Sequence, residues 1–326
     1  GDDNHEQLLG LAERLLDVSP VAVTDFIKSC PAVLGRITPA QLERWFEDGV
    51  RLFGQNEEAG LAFFRVESAF AQELLEALSS SVEFDRVKGV MELYCCALAG
   101  SDVKLAASGE LAEKNIGWVS DEAPSTEGST VYVPSQIDKY GSKNENFALL
   151  KVVSTHQVAH LEFGSFDFEY ERPSTLFTDL RPRLQTMGGR AAAGGVAEGE
   201  GVERAWLTDM QRFFDIFDQR SLVLDVFTVV EDGRLDARVK SEYPGIRCAY
   251  VIVQRDALNG RPDIRSAPAR EALVEFLVRY SLLQDDGLEA PAKHVAEARR
   301  IASIARRVLA DDATVEDTAE ATIRIY

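Results

Sequence analysis

The sequence predicts a mostly helical (α+β) protein: a helical, repeat-like segment over 1–100, then a helical metal-binding domain with a small edge sheet over 101–320. Three observations predict this. Apolar residues recur at helical spacing through most of the chain. Strand-type character is concentrated in one short stretch, Ser129-Thr-Val-Tyr-Val-Pro134. Two of only four histidines, His156 and His160, lie four residues apart inside a helical stretch.

Helix-compatible stretches run over 6–18, 20–34, 39–54, 56–79 and 82–99. Pro20 and Pro39 each follow a capping-type residue, Ser19 and Thr38, the expected order at a first helical turn. Ala22, Phe26, Ile27, Lys28 and Ala32 recur 37 positions later as Ala59, Phe63, Phe64, Arg65 and Ala69. That period suits a helical-hairpin repeat, and it equally suits two helices of similar amphipathicity.

Residues 101–142 turn to Gly, Ser and acidic side chains. Within them 129–133 is the expected strand, which Pro134 ends or marks as an edge. As an edge strand it would pair with an extended peptide. The helix over 144–163 carries the histidine pair, continues its period through Phe147, Leu150 and Val153, and stops at Gly164. Residues 188–201 form a Gly/Ala-rich loop, expected to be flexible. Helices resume over 202–217, 221–242, 247–258, 268–284 and 290–310. Residues 321–326 read as the opening of an uncompleted strand, so the chain is expected to be part of something longer.

The chain has 326 residues, 45% hydrophobic and 27% charged, as in ordinary globular proteins. No apolar run approaches the roughly 20 residues a membrane helix needs. The net charge of −19 opposes a phosphate backbone and an anionic membrane surface, so neither nucleic acid nor membrane is an expected partner. Four cysteines without C-x-x-C spacing fit a reducing, cytoplasmic setting, with the adjacent Cys95 and Cys96 as buried thiols.

Histidines at i and i+4 share one helix face and supply half of a tetrahedral zinc site. A catalytic zinc needs a third protein ligand. His5 and His294 lie in charged outer segments and read as surface histidines. Glu231 is the better candidate, because Leu222, Val226, Val229 and Val230 lead straight into Glu231 and Asp232, and a buried carboxylate needs a partner or a metal. The competing reading pairs Glu231 and Asp232 with Arg234 or Arg238. Asp236 is placed to orient a ligating histidine from behind.

Gln157 occupies the position where an H-E-x-x-H zinc hydrolase carries its general-base glutamate. An amide hydrogen-bonds like the acid but accepts no proton at neutral pH. Metal binding should survive and hydrolysis should not. A naturally non-catalytic site and a substrate-trapping replacement both fit. Glu162 sits too far along the helix to stand in. Tyr243 is a possible oxyanion stabiliser, although a Tyr before Pro is more often a packing residue.

The run His156-Gln-Val-Ala-His160-Leu-Glu-Phe-Gly-Ser-Phe, with Val131-Tyr-Val-Pro, Val230-Glu-Asp-Gly-Arg-Leu-Asp-Ala-Arg-Val and Glu242-Tyr-Pro-Gly, resembles the region ahead of the von Willebrand A domain in NorD/CbbO-type proteins. Ser19-Pro and Cys30-Pro-Ala-Val-Leu are also similar to it. The resemblance implies partnership with a MoxR-type AAA+ ATPase in activating metalloenzyme targets. The Asp-x-Ser-x-Ser motif of that A domain does not occur in this sequence, and neither does a Walker loop. The same motif set resembles a gluzincin peptidase. That implies a zincin-like domain holding Zn2+ on His156, His160 and Glu231, with a peptide or protein as substrate. The alternative function is a non-catalytic, zinc-stabilised adaptor.

Overall fold

The computed structural model describes residues 2–100, 102–109, 125–185, 208–264, 267–285 and 287–326. The expected loop over 188–201 lies outside them, as does the expected helix over 202–217 up to residue 207. The described residues are 67% helical with a small sheet component, the mostly α class the sequence predicts. Its contacts group it into two compact units, Gly1–Val87 with Gln136–Ala148, and Lys88–Ser135 with Leu149–Tyr326.

The first unit holds α1 (Asp2–Leu16), α2 (Pro20–Leu34), α3 (Pro39–Gln55), α4 (Glu57–Phe64) and α5 (Ala69–Leu78). Ser19 accepts from the Ala22 amide at the start of α2, and the Thr38 amide donates to Gln41 at the start of α3. Each cap satisfies a backbone group the first turn leaves open. The core is an aromatic cluster in which Phe26, Trp45, Phe46, Phe63 and Phe64 are fully buried. Its rings meet mainly edge-on, as at Phe26–Phe64 (5.9 Å, 82°), the favoured quadrupole arrangement. The two echoing segments, α2 and α4, enter this one core. The continuous helix expected over 56–79 is broken, because Val66 takes φ 62° between α4 and α5. Strand β1 (Val82–Glu83) pairs antiparallel with β5 (Gln136–Ile137).

Two helices, α6 (Phe84–Ala99) and α7 (Lys143–Glu162), contribute to both units. In the second unit β2 (Lys104–Ala107), β4 (Thr130–Val133) and β3 (Ser125–Glu127) form a sheet in the order β2-β4-β3. Strand β4, expected as an edge, is the centre: β2 pairs with it in parallel and β3 antiparallel. Its backbone groups are used on both sides, so an added peptide has no edge there.

Helices α8 (Asp209–Phe214), α9 (Arg220–Glu242), α10 (Arg247–Asn259), α11 (Ala269–Leu283), α12 (Val295–Val308) and α13 (Val315–Ile325) complete the unit. Helix α9 is the hub, touching α8, α10, α11, α12 and α13. A helix surrounded in this way buries polar positions along with apolar ones, and Glu231, Arg234 and Asp236 are all buried. Gly233 allows a close approach to α11, where a Cβ would lie 3.0 Å from Ser281 Oγ.

The C-terminal residues correct the sequence reading. They form α13 rather than an opening strand. Helix α13 is enclosed on most sides, burying Val315, Ala319 and Ala321 along with the polar Glu316, Asp317, Thr318, Glu320 and Thr322. Asp317 accepts from the backbone amides of Thr175, Leu176 and Thr314, each at 2.8 Å. Glu320 accepts from Arg181 Nε at 3.1 Å. These partners replace the water that buried carboxylates lose.

Candidate metal centre

Helix α7 delivers both histidines from one face, and Gly164 at φ +69° ends it in the left-handed conformation suited to glycine. The apolar side chains Val152 and Ala159 pack against Leu235 and Val239 of α9 and fix the two helices together. The imidazole rings stand 5.3 Å apart and nearly perpendicular. Each turns Nε2 toward Asp232 Oδ1, at 3.6 Å from His156 and 3.8 Å from His160.

Tetrahedral zinc with bonds of about 2.1 Å separates its donors by about 3.4 Å. The observed separations are close to that value. Among the described residues, His156, His160 and Asp232 form the group able to hold a metal, with candidate donor atoms within 4.8 Å of one another. Asp232 is part-exposed on the open side.

Both Nδ1 atoms are occupied, which fixes the tautomer. His156 Nδ1 donates to Asp236 Oδ1 at 2.8 Å, the orienting contact expected of Asp236. Asp236 is held in turn by Gln254 Nε2 at 2.8 Å. His160 Nδ1 lies 3.1 Å from Ser165 Oγ. The single Ser165 hydroxyl proton goes to Glu231 Oε1 at 2.5 Å, so toward His160 this oxygen accepts. With Nδ1 of each ring turned to these partners, both Nε2 atoms face Asp232.

Burial lowers the His160 pKa to about 4, helped by the neighbouring His156, so this ring stays neutral. Burial also acts to lower His156, but Asp236 and Asp232 outweigh it and raise the pKa well above the ordinary value. A metal must therefore displace a proton from His156.

Glu231 is the first correction at the site. It is not presented to the histidine nitrogens. It is 2% exposed and its carboxylate is fully engaged by Arg234 (2.5 and 2.9 Å), Ser165 and Thr318 (2.6 Å). Burial disfavours its charge, yet the Arg234 hydrogen bonds and charge, with the two hydroxyls, bring its pKa below the usual value. The Arg234 pairing weighed for it in the sequence is the one found, and the acid beside it, Asp232, faces the histidines. The spacing carried this signal. If Asp236 orients a ligand, the residue one turn before it on the same face is Asp232, whereas Glu231 is about 140° away around a helix of 3.6 residues per turn.

Tyr243 is the second correction. It caps α9, and its hydroxyl donates to Glu162 rather than lining the site. Gln157 is where a hydrolase would place its base, but its Oε1 is held by Thr126 Oγ1 of β3 at 2.9 Å, with a second contact to the Gln157 carbonyl at 3.0 Å. Thr126, Gln157, His160 and Asp232 border an open cleft of about 360 Å³, otherwise walled mainly by apolar side chains.

His5 is exposed and His294 caps α12, both outside the metal group. Cys95 is buried and Cys96 half-buried, and neither forms a disulfide among the described residues. No helix among the described residues is long and apolar enough to cross a membrane. No protein-family model, curated protein or solved structure matches the chain.

Proposed function

We propose that this chain is a zinc-binding, metallopeptidase-like domain that holds an extended peptide and does not cleave it. The observation that carries this is the convergence of His156 Nε2, His160 Nε2 and Asp232 Oδ1, with both Nδ1 atoms committed elsewhere. Three protein ligands with an open side is the ligand count of a catalytic rather than a structural zinc. A zinc ion there supplies Lewis-acid polarisation to whatever oxygen enters the cleft.

The chain's own groups set the limit on chemistry. Asp236 and Ser165 orient the two imidazoles. Gln157 offers a hydrogen bond where a base would take a proton, and general-base help is worth roughly 10²–10⁴-fold. Glu162 does not replace it, being engaged by Tyr243. The zincin-like fold and the NorD/CbbO likeness belong to this proposal. So does the second reading, a zinc-stabilised adaptor for a MoxR-type AAA+ ATPase. The tie from Gln157 to Thr126 favours that second reading, because it gives the amide a structural task in joining α7 to β3.

The test compares the present sequence with Gln157→Glu, both zinc-loaded, on unfolded protein substrates. The proposal expects zinc in both and cleavage only by the Glu form. Zinc in both with no cleavage by either overturns the peptidase-like reading and leaves the adaptor.

A further inference from the structure

The wall of the cleft beside the metal group is apolar. Met210 and Phe214 of α8, Leu224 and Phe227 of α9, and Phe166 after α7 surround it. Phe214 and Phe227 form the buried floor, with their rings 5.5 Å apart. Phe166 and Leu224 form the rim at 59% and 46% exposure, and the Phe166 ring lies 6.0 Å from the His160 ring. Large apolar side chains kept in water at the mouth of an apolar recess mark a binding surface more often than chance exposure.

Its position relative to the metal group is set by one helix. Leu224, Thr228 and Asp232 follow at i, i+4 and i+8 along α9. They form one stripe from rim to ligand, with Thr228 about 6 Å and Leu224 about 12 Å from Asp232 along the axis. An extended peptide advances about 3.3–3.6 Å per residue. A side chain two residues from the group at the metal therefore reaches the recess. The charge is equally specific. Among the described residues no lysine or arginine lines the cleft, while Glu231 and Asp232 do. Away from the metal group an acidic ligand side chain meets no lysine or arginine in the recess, and the net charge of −19 opposes acidic peptides at longer range.

We infer that this recess selects the bound peptide, taking a phenylalanine-sized apolar side chain within about two residues of the metal-facing group and rejecting an acidic one. This rests on the peptide-binding reading above and adds a substrate class to it. The other recess of comparable size among the described residues, walled by Leu222, Leu273, Ile301 and Ile325 with Gln219 and Arg270 bonded to each other at its edge, lies apart from the metal group.

The test titrates the zinc-loaded full chain with fluorescent hexapeptides, blocked at both ends and identical except for a central Phe, Ala or Asp. The Phe peptide is expected to bind about 10- to 100-fold tighter than the Ala peptide, the gain from burying one large apolar side chain. The Asp peptide should be weaker still. Leu224→Arg changes an exposed rim position without touching the floor, and should reduce the Phe peptide to the Ala level with zinc content unchanged. Equal binding of Phe and Ala peptides, binding of none of them, or a Leu224→Arg chain that keeps its preference overturns the recess. Zinc measured on the same samples separates the two claims. Zinc held without discrimination sinks the recess alone. A chain without zinc sinks the metal-based reading, and the Phe/Ala comparison on that chain still decides the recess.

Discussion

Asp232 and Glu231 are neighbours on α9, yet a helix turns about 100° between them and sends them to different tasks. Asp232 faces two imidazoles from a part-exposed position. Glu231 neutralises Arg234 in the interior. The variants should separate accordingly. Glu231→Gln leaves the Arg234 guanidinium buried without its counter-charge, a loss of about 3–5 kcal/mol in stability. It should show as a large fall in Tm of the metal-free chain. Asp232→Asn should leave that Tm nearly unchanged and abolish tight zinc binding. The reverse pattern would restore Glu231 as the ligand. Ser165 is the finer case. Ser165→Ala removes the acceptor that orients His160 and should weaken zinc about 10- to 100-fold, read by competition with a chromogenic chelator. Ser165→Thr, which keeps the hydroxyl, should recover most of it.

At the scale of elements, α7 was legible from the spacing of its two histidines and its stop at Gly164 rather than from a one-sided apolar stripe. Helix α13 was not, because its apolar stripe is only Val315, Ala319 and Ile323, its other buried positions include Glu316, Asp317 and Glu320, and Thr-Ile-Arg-Ile-Tyr favours a strand locally. Its partners on 174–181 lie about 140 positions away and leave no local trace. The strand 130–133 was legible as an element but not as a central one, since β2 (Lys-Leu-Ala-Ala) lacks the β-branched and aromatic residues that mark a strand and β3 has only three residues. The break at Val66 was hidden for a similar reason: a β-branched residue at positive φ contradicts its own preference. Helix α13 also sets an acid sensitivity. The hydrogen bonds of Asp317 outweigh its burial and depress its pKa, as Arg234 does for Glu231. Folded values below unfolded ones stabilise above the unfolded pKa of about 4 and lose that contribution as pH falls through the folded values. Thermal unfolding should therefore show Tm dropping steeply below pH about 4. Asp317→Asn should have a lower Tm at neutral pH and a shallower acid dependence. An acid limb as steep as that of the parent chain would contradict this role.

At the scale of the molecule, the metal group joins elements far apart in sequence: α7, the turn after it and α9, with α13 behind through the Thr318–Glu231 hydrogen bond. Zinc bound there ties α7 to α9, and a ligand that binds only the folded state raises stability by mass action. Removing it with a chelator should lower Tm, by more in the parent chain than in Asp232→Asn, as scanning calorimetry would record. The sequence showed the histidine pair and the Asp236 that contacts His156 directly. It set Glu231 beside the histidines where the fold sets Asp232, because two adjacent acids look alike until the face of the helix is fixed. It could not show the apolar recess, whose walls come from α8, α9 and the loop after α7 and meet only in the fold.

The central claim, a zinc centre on His156, His160 and Asp232, is tested most directly by elemental analysis of purified chain equilibrated with zinc and then dialysed. Parent protein should retain about one zinc per chain, Glu231→Gln should retain zinc when folded, and Asp232→Asn should retain almost none. Less than about half a zinc on the parent chain, or full zinc on Asp232→Asn, would contradict it.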